Sequence, residues 1–334
     1  MRIFLTGSSG FVGGVILDRL VAQSVESYAL HRTDVICIPD GVTKLLGDLT
    51  DLSDIKNASV GSDVYSDQST VDPAFVLDMA LANSDVVIHA AARAHIMKDE
   101  VAEPLAEYRR LNVEGTINLA QQAAIAGVQR FIFISSIKVN GEQTPLDQPF
   151  MADDAPAPHG AYGISKWEAE EGLKQLATET GMEVVIIRPP LVYGAGVKGN
   201  LASMIKLVTK GVPLPLGAVH NQRSLVAVDN LVDLIITCID HPAAANQVFL
   251  VSDGHDLSTT NLLRGVASAM GKSSRLLPVP SFILMLAGTL LGKKEVTQRL
   301  LGSLQVDITK TRNLLDWEPP ISVSEGLKRC FTKR

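Results

Sequence analysis

Short apolar runs separated by amphipathic stretches recur along the chain from its second residue, and this alternation predicts an α/β fold. Ile3 to Thr6, Asp85 to Ala92, Arg130 to Ser135 and Val184 to Arg188 are strand-length runs with few polar interruptions. Such runs suit parallel strands covered on both faces, because a half-exposed strand would alternate. Helices are expected between them. Val15-Ile16-Leu17 with Leu20-Val21 places an apolar stripe after the first strand, and further helices are read at 74–82, 104–126 and 161–180. The second of these should stop at Gly127, a residue suited to the position just past a helix end. Ser27 to Leu30 reads as the second strand, ending at His31-Arg32, and Val35 to Ile38 as a further short one before a turn at Pro39-Asp40-Gly41. Residues 59–73 are polar and unpatterned, which marks a surface insertion. A strand and helix around Ser224 to Asp240 and a strand at Val248 to Val251 are expected to rejoin the sheet. The expected architecture is a doubly wound parallel sheet from residues 1–188 plus about 223–253, with 189–222 and 254–334 forming a smaller mixed α/β lobe.

The first strand runs directly into Gly7-Ser8-Ser9-Gly10-Phe11-Val12-Gly13. Gly7 would permit the tight turn, Gly10 would let backbone approach a pyrophosphate, and Gly13 would let the helix pack on the sheet, with the helix N-terminus facing the anion. The spacing is G-x-x-G-x-x-G rather than the commoner G-x-G-x-x-G. Its place between strand and helix is what favours a dinucleotide site of Rossmann type over a plain turn. In such sites an acid at the end of the second strand accepts hydrogen bonds from the adenosine ribose of NAD, whereas an arginine there pairs with the 2′-phosphate of NADP. Here the acid is missing and Arg32 is present, with Asp34 a displaced alternative. The cofactor is therefore expected to be NAD or NADP, Arg32 favouring NADP tolerance; a solvated loop charge is its other reading. Asp48, within Gly47-Asp48-Leu49, is read either as an acceptor for the adenine amino group or as a helix N-cap. Ala90, Ala91 and Ala92 close the run from Asp85, and small residues at a strand's carboxyl end let a ligand lie against backbone.

Composition narrows the field. The chain has 334 residues, 46% hydrophobic and 20% charged, with a net charge of −6. No basic run interleaves with aromatics, so no nucleic-acid partner is expected. The longest apolar run, Phe282 to Leu291, falls short of the ~20 residues that span a bilayer, so no integral membrane segment is expected. A buried core helix is the plain reading of that run and an amphipathic membrane-surface contact the alternative. With the first strand at the very start, no secretory leader is expected. Cys37, Cys238 and Cys330 form no C-x-x-C pair, which fits a reducing, cytoplasmic setting. The seven histidines show no H-x-x-x-H or H-x-H spacing, so no metal site is expected.

Tyr162-Gly163-Ile164-Ser165-Lys166 opens the 161–180 helix after a loop rich in proline, aspartate and glycine. Residues four apart share one helical face, so a phenol and an ammonium can project into one site. A phenol with a pKa near ~10 is a poor base at neutral pH, and a neighbouring cation favours its anion. Alone, Y-x-x-x-K is common on solvated helices. It gains meaning from the glycine loop, the alanine-rich strand end and the pair Ser135-Ser136 that come before it.

With these motifs stand His89-Ala90-Ala91-Ala92, Asn112-Val113-Glu114-Gly115-Thr116, Arg188-Pro189-Pro190-Leu191-Val192-Tyr193-Gly194 and Arg223-Ser224-Leu225-Val226-Ala227-Val228-Asp229. In this order they resemble the extended short-chain dehydrogenase/reductase family, in its nucleotide-sugar epimerase/dehydratase/reductase branch of the UDP-galactose and UDP-glucose 4-epimerase type. The resemblance covers nearly the whole chain. It implies that Ser136 hydrogen-bonds the sugar O4, that Tyr162 takes the O4 proton, and that Lys166 holds the nicotinamide ribose and lowers the tyrosine pKa. For the cofactor it implies Gly7, Ser9, Gly10, Phe11, Val12 and Gly13 at the pyrophosphate. Arg32, Asp48, Leu49, Ala90, Ala91, Ala92 and Pro189 complete that set with Tyr162 and Lys166. Arg223 resembles the arginine that grips the substrate diphosphate, and Asn200 an asparagine near it. A homodimer through the 104–126 and 161–180 helices is implied as well.

Departures from the family pattern matter as much. Ser135-Ser136-Ile137-Lys138 lacks the Asp-Glu pair that dehydratases carry after their Ser/Thr, which disfavours dehydration. Val139-Asn140-Gly141 stands where the family has Val-Tyr-Gly, and Arg299 is only a substitute for a second diphosphate arginine. The expected activity is a UDP-hexose or UDP-N-acetylhexosamine 4-epimerase working by transient C4 oxidation in polysaccharide precursor synthesis. The alternative is an NAD(P)H-dependent UDP-4-keto-sugar reductase, which Arg32 favours. A non-catalytic NAD(P)-binding protein is the third class, and the intact Ser/Tyr/Lys set argues against it.

Overall fold

The first strand, β1 (Arg2–Thr6), is buried from Ile3 to Thr6 and lies inside an eight-stranded sheet. In chain order come α1 (Phe11–Ala22), β2 (Glu26–His31), β3 (Val42–Asp48), β4 (Asp51–Asn57), α2 (Pro73–Ala82) and β5 (Val86–His89). Then follow α3 (Pro104–Arg109), α4 (Gly115–Ile125), β6 (Arg130–Ile134), α5 (Gly160–Thr180) and β7 (Glu183–Arg188). The remainder comprises β8 (Leu191–Tyr193), α6 (Gly199–Thr209), β9 (Leu225–Ala227), α7 (Val228–Asp240), β10 (Val248–Leu250) and α8 (Thr259–Ala269). It ends with α9 (Ser281–Leu290), α10 (Lys294–Leu301), α11 (Thr309–Leu315) and α12 (Val323–Arg329). This computed structural model describes residues 1–34, 38–57, 73–94 and 103–332. Most of the proposed strand at Val35 to Ile38, with Cys37, and nearly all of the 59–73 insertion lie outside the described residues, and Ile38 itself is not in a strand.

The chain separates into two units. The first holds Met1–Val139, Pro156–Arg188 and Ile235–Phe249; the second holds Asn140–Ala155, Pro189–Leu234 and Leu250–Arg334. In the first, the sheet order is β10-β7-β6-β5-β1-β2-β3-β4, with β1, β2, β3, β5, β6 and β7 parallel to one another. Helices cover both faces, as the uninterrupted apolar strands require. Phe4, Val87, Phe131, Phe133, Val184 and Ile186 point into one core with Leu119, Ala123, Ala169 and Leu173 of the helices. The order reverses between β1 and β5. Loops leaving the carboxyl ends of strands at such a switch point form the ligand crevice of an open α/β sheet.

Four differences from the sequence reading have physical reasons. β3 and β4 form an antiparallel hairpin at the sheet edge, pairing Leu45 with Asn57 and Leu46 with Lys56. The polar sequence of β4 hid it, as polar edge strands do. The helix read at 104–126 is α3 and α4 joined through a π-helical turn at Arg110–Glu114. The strand read near Ser224 does not rejoin the large sheet: β9 pairs in parallel with β8, Leu191 opposite Leu225, in a two-stranded sheet of its own. That sheet belongs to the second unit, whose core gathers Tyr193, Leu201, Leu225, Leu262, Leu263, Val266 and Leu327. There the Tyr193 hydroxyl donates to Asp253 at 2.6 Å, and Asp253 also accepts from the Ala227 amide and Asn230. Lastly, the apolar run Phe282 to Leu291 is not a core helix, since α9 buries only Gly288.

Candidate active site

The glycine loop folds as its spacing requires. Gly7 has φ +76°, and a Cβ there would stand 2.6 Å from the backbone of Ala90 and Ala91. A Cβ on Gly13 would stand 2.1 Å from the Gly7 carbonyl oxygen, so both positions need glycine. The Gly10 amide donates to the Gly7 carbonyl at 2.8 Å, and Gly10 caps α1 without any side-chain hydrogen bond. No acid stands in the first turn of α1. Its N–H groups, with the exposed Ser9 and Gly10 and half-buried Phe11 and Val12, therefore make a positive helix end suited to a pyrophosphate. On this geometry a dinucleotide fits.

The end of β2 carries a residue the sequence reading passed over. His31 stands where the ribose acid would be and is 2% exposed, its Nε2 lying 3.1 Å from the Ser8 hydroxyl. Its Nδ1 is buried with no hydrogen-bond partner among the described residues. Burial, with Lys44 adding, holds the imidazole below its ordinary pKa, so it is neutral at physiological pH. Arg32 follows and is exposed. Asp34, the displaced acid, is paired with Lys44. Asp48 ends β3, and its Oδ1 accepts from the Thr50 amide and hydroxyl, each at 2.8 Å. It caps the β3–β4 turn, which removes the helix N-cap reading. Burial raises its pKa, but the Thr50 hydrogen bonds, with Arg32 and Arg110, outweigh that and hold the carboxyl below its usual value.

Behind the strand ends runs a buried polar chain. Thr6 Oγ1 lies 2.7 Å from His89 Nδ1, and His89 Nε2 lies 3.0 Å from Thr116 Oγ1. Burial, then Lys166, pushes His89 down to about 3, so it serves as a neutral bridge. Asn112, in the π-helical turn, accepts from the Arg93 amide at 2.8 Å and donates to Ser165 Oγ at 3.1 Å. It ties the segment after Ala90, Ala91 and Ala92 to the start of α5, and π-turns recur at functional sites for such purposes. Leu49 is buried, its carbonyl against Gly115.

Ser135 and Ser136, adjacent after β6, have different work. Ser135 is buried and donates to the Glu170 carboxylate. Ser136 is half-buried, its hydroxyl accepts from the Lys138 amide at 3.3 Å, and its proximity favours the anion of the Tyr162 phenol. Tyr162 lies in the first turn of α5, edge-on to Tyr108 at 6.1 Å. Lys166, one turn on, is buried; its Nζ donates to the Ile134 carbonyl at 2.8 Å and sits 4.3 Å from the Phe133 ring centre. Burial pushes Tyr162 up to about 12, with Ser136 opposing and Tyr108 adding. It pushes Lys166 down to about 7, with Glu170 opposing. The expected lowering of the tyrosine by Lys166 is therefore not what the folded chain alone displays, because the ammonium is turned to a backbone carbonyl.

Of the residues expected at the substrate, Asn200 is second in α6, and its side chain lies outside what the structure describes. Arg223 donates to the carbonyls of Arg299 at 2.8 Å and Gly302 at 3.0 Å, and burial lowers its pKa. Pro189 follows β7 directly and opens the second unit. Among the described residues, no three or more His, Cys, Asp or Glu side chains are grouped to hold a metal ion.

A family model described as the NAD dependent epimerase/dehydratase family matches residues 3–252. The chain belongs to this family. It is an enzyme of the extended short-chain dehydrogenase/reductase, UDP-glucose 4-epimerase-like type, and its cofactor is NAD. A UDP-glucose 4-epimerase of Vibrio cholerae is 50% identical over 331 residues, covering 98% of this chain and 93% of the relative. The UDP-glucose 4-epimerase of Thermotoga maritima with UDP-glucose shares this epimerase-family fold at a TM-score of 0.74 and 22% identity, over 99% of this chain and 97% of that one. The Thermus thermophilus UDP-glucose 4-epimerase complex with NAD gives the same TM-score, identity and coverage.

Proposed function

We propose that this chain is an NAD-dependent nucleotide-sugar 4-epimerase acting on a UDP-hexose or UDP-N-acetylhexosamine. The observation that carries the reading is the placement of Ser136 just past the carboxyl end of β6, with Tyr162 and Lys166 one helical turn apart at the start of α5. NAD, when bound, supplies a reversible two-electron acceptor for the C4 carbinol. The chain's own groups handle the proton. Tyr162 accepts the O4 proton and returns it, Ser136 hydrogen-bonds the same oxygen, and Lys166 turns from the Ile134 carbonyl to the nicotinamide ribose and the phenol. A phenol held near 12 needs a positive charge beside it to work at neutral pH, and Lys166 is the nearest source on the same helical face. The glycine loop and α1 hold the pyrophosphate of the cofactor, and Arg223 with Asn200 takes the diphosphate of the sugar nucleotide. A homodimer through α3, α4 and α5 and a cytoplasmic location accompany this reading.

A 4-keto-sugar reductase is the second reading, favoured by Arg32 and by a neutral His31 where an acid would repel a 2′-phosphate. Anaerobic incubation with UDP-glucose and with UDP-N-acetylglucosamine separates the two. Epimer formation without net cofactor turnover supports the epimerase, and stoichiometric consumption of added NAD(P)H with a 4-keto sugar supports the reductase.

A further inference from the structure

α9 and α10 form a helical hairpin turning at Leu291–Lys293, and its two arms meet closely at one point. A Cβ on Gly288 would stand 2.0 Å from Thr297 Oγ1. The opposite side of α9 is exposed among the described residues. Phe282 is 72% exposed, Leu286 61%, Leu290 78% and Leu291 71%, with Ile283 and Val296 exposed beside them. Positions 282, 286 and 290 recur every fourth residue, so they line one stripe of the helix. A contiguous apolar stripe of this kind on a water-facing helix marks a contact surface.

The charge along this part of the sequence, and at the hairpin turn beside the stripe, points to its occupant. Between Asp256 and Asp307 the chain carries Arg264, Lys272, Arg275, Lys293, Lys294 and Arg299 against the single acid Glu295. This is a net of +5 in a chain whose total is −6. Lys293 and Lys294 are both exposed at the hairpin turn, next to Leu291. A second copy docked on the same face would bring these cations together. An anionic lipid surface would take both the apolar stripe and the cations. The helix is too short to cross a bilayer, so it would lie in the plane of the interface.

We propose that the α9–α10 hairpin docks the enzyme on an anionic bilayer, laying Phe282, Leu286, Leu290 and Leu291 into the headgroup boundary with Lys293 and Lys294 against lipid phosphates. The proposal does not depend on the identity of the sugar substrate. Its test is flotation of the full-length protein with vesicles of phosphatidylcholine, alone or with roughly a third phosphatidylglycerol. The parent is expected to float with the anionic vesicles and to bind the neutral ones at least about tenfold more weakly. A Phe282→Ser/Leu290→Ser variant is expected to stay unbound while keeping the parent's melting temperature and turnover. Lys293→Glu/Lys294→Glu should lose more than about tenfold on anionic vesicles, each near-surface cation contributing about fivefold. A parent that binds neither vesicle, or an apolar variant that binds like the parent, overturns the proposal. So does a sedimentation-velocity result in which the apolar variant breaks an oligomer while the parent ignores lipid, since the face then belongs to a second copy.

Discussion

Arg188 Nη2 lies 2.5 Å from Glu170 Oε2, and the pair is sealed from solvent, with the Arg188 Nε also donating to Glu170 at 2.9 Å. Glu170 stands one turn beyond Lys166 on α5, as Lys166 stands one turn beyond Tyr162, so the ion pair is the floor of the stripe proposed to carry the chemistry. Glu170 also accepts from Ser135, which fixes the strand end that presents Ser136.

Removing one partner of such a pair leaves the other charge buried and uncompensated. Glu170→Ala is expected to cost about 3–5 kcal/mol of stability, whereas replacing both members with apolar residues should cost much less. Urea unfolding of the single and double variants checks this. Equal losses in the two would mean that Arg188 reaches water and the pair is not a sealed floor.

Lys166 gives a dependence on pH with an unusual sign. Its folded pKa, about 7, lies below the ordinary 10.5, so between those values the unfolded chain binds more protons and stability rises with pH. Below about 7 both states are protonated and the burial penalty is fully present. Lys166→Met is therefore expected to lack turnover, to be more stable than the parent at neutral pH, and to flatten the rise toward pH 10. Denaturant unfolding of the cofactor-free proteins across that window reads the slope, and a parent with no rise would place the ammonium in contact with solvent.

Arg32, beside the neutral His31, bears on cofactor choice. If its guanidinium meets a 2′-phosphate, NADP(H) gains roughly 1–3 kcal/mol, about five- to a hundredfold or somewhat more. Arg32→Ala should then lose affinity for NADP(H) with little change for NAD(H). Titrating both cofactors against parent and variant decides it, and equal losses, or none, would leave Arg32 as a solvated charge.

Much of the frame was legible because buried parallel strands and glycine loops leave strong local signals. β1, β6 and β7, the glycine loop and the long α5 stand where the pattern put them, within a residue or two at the ends, and β5 begins where expected but ends at His89, short of the three alanines. What escaped depends on contacts between distant residues. His31 reads as an ordinary strand end until burial shows its unpartnered Nδ1. Asn112 shows its role only when a π-helical turn brings it to Arg93 and Ser165. Glu170 lies one turn beyond Lys166 on the same helical face, but nothing in the sequence marks its pairing with Arg188, which needs the packing of α5 on β7. The pairing of β8 with β9 was hidden because two three-residue apolar runs carry no mark of which sheet they join. The exposed face of α9 misled for the opposite reason, since apolar sequence alone is as compatible with a core as with a contact surface.

The central claim is that Tyr162 moves the proton while the hydrogen at C4 leaves one face of the sugar and returns to the other within one enzyme. UDP-glucose deuterated at C4 tests it directly, with the product read by mass spectrometry and NMR for both configuration and label. The account predicts a UDP-galactose product that keeps its deuterium at C4, with turnover at least about a hundredfold lower in Tyr162→Phe and nucleotide binding nearly intact. Loss of the label to free cofactor, or a Tyr162→Phe variant within about tenfold of the parent, would contradict it.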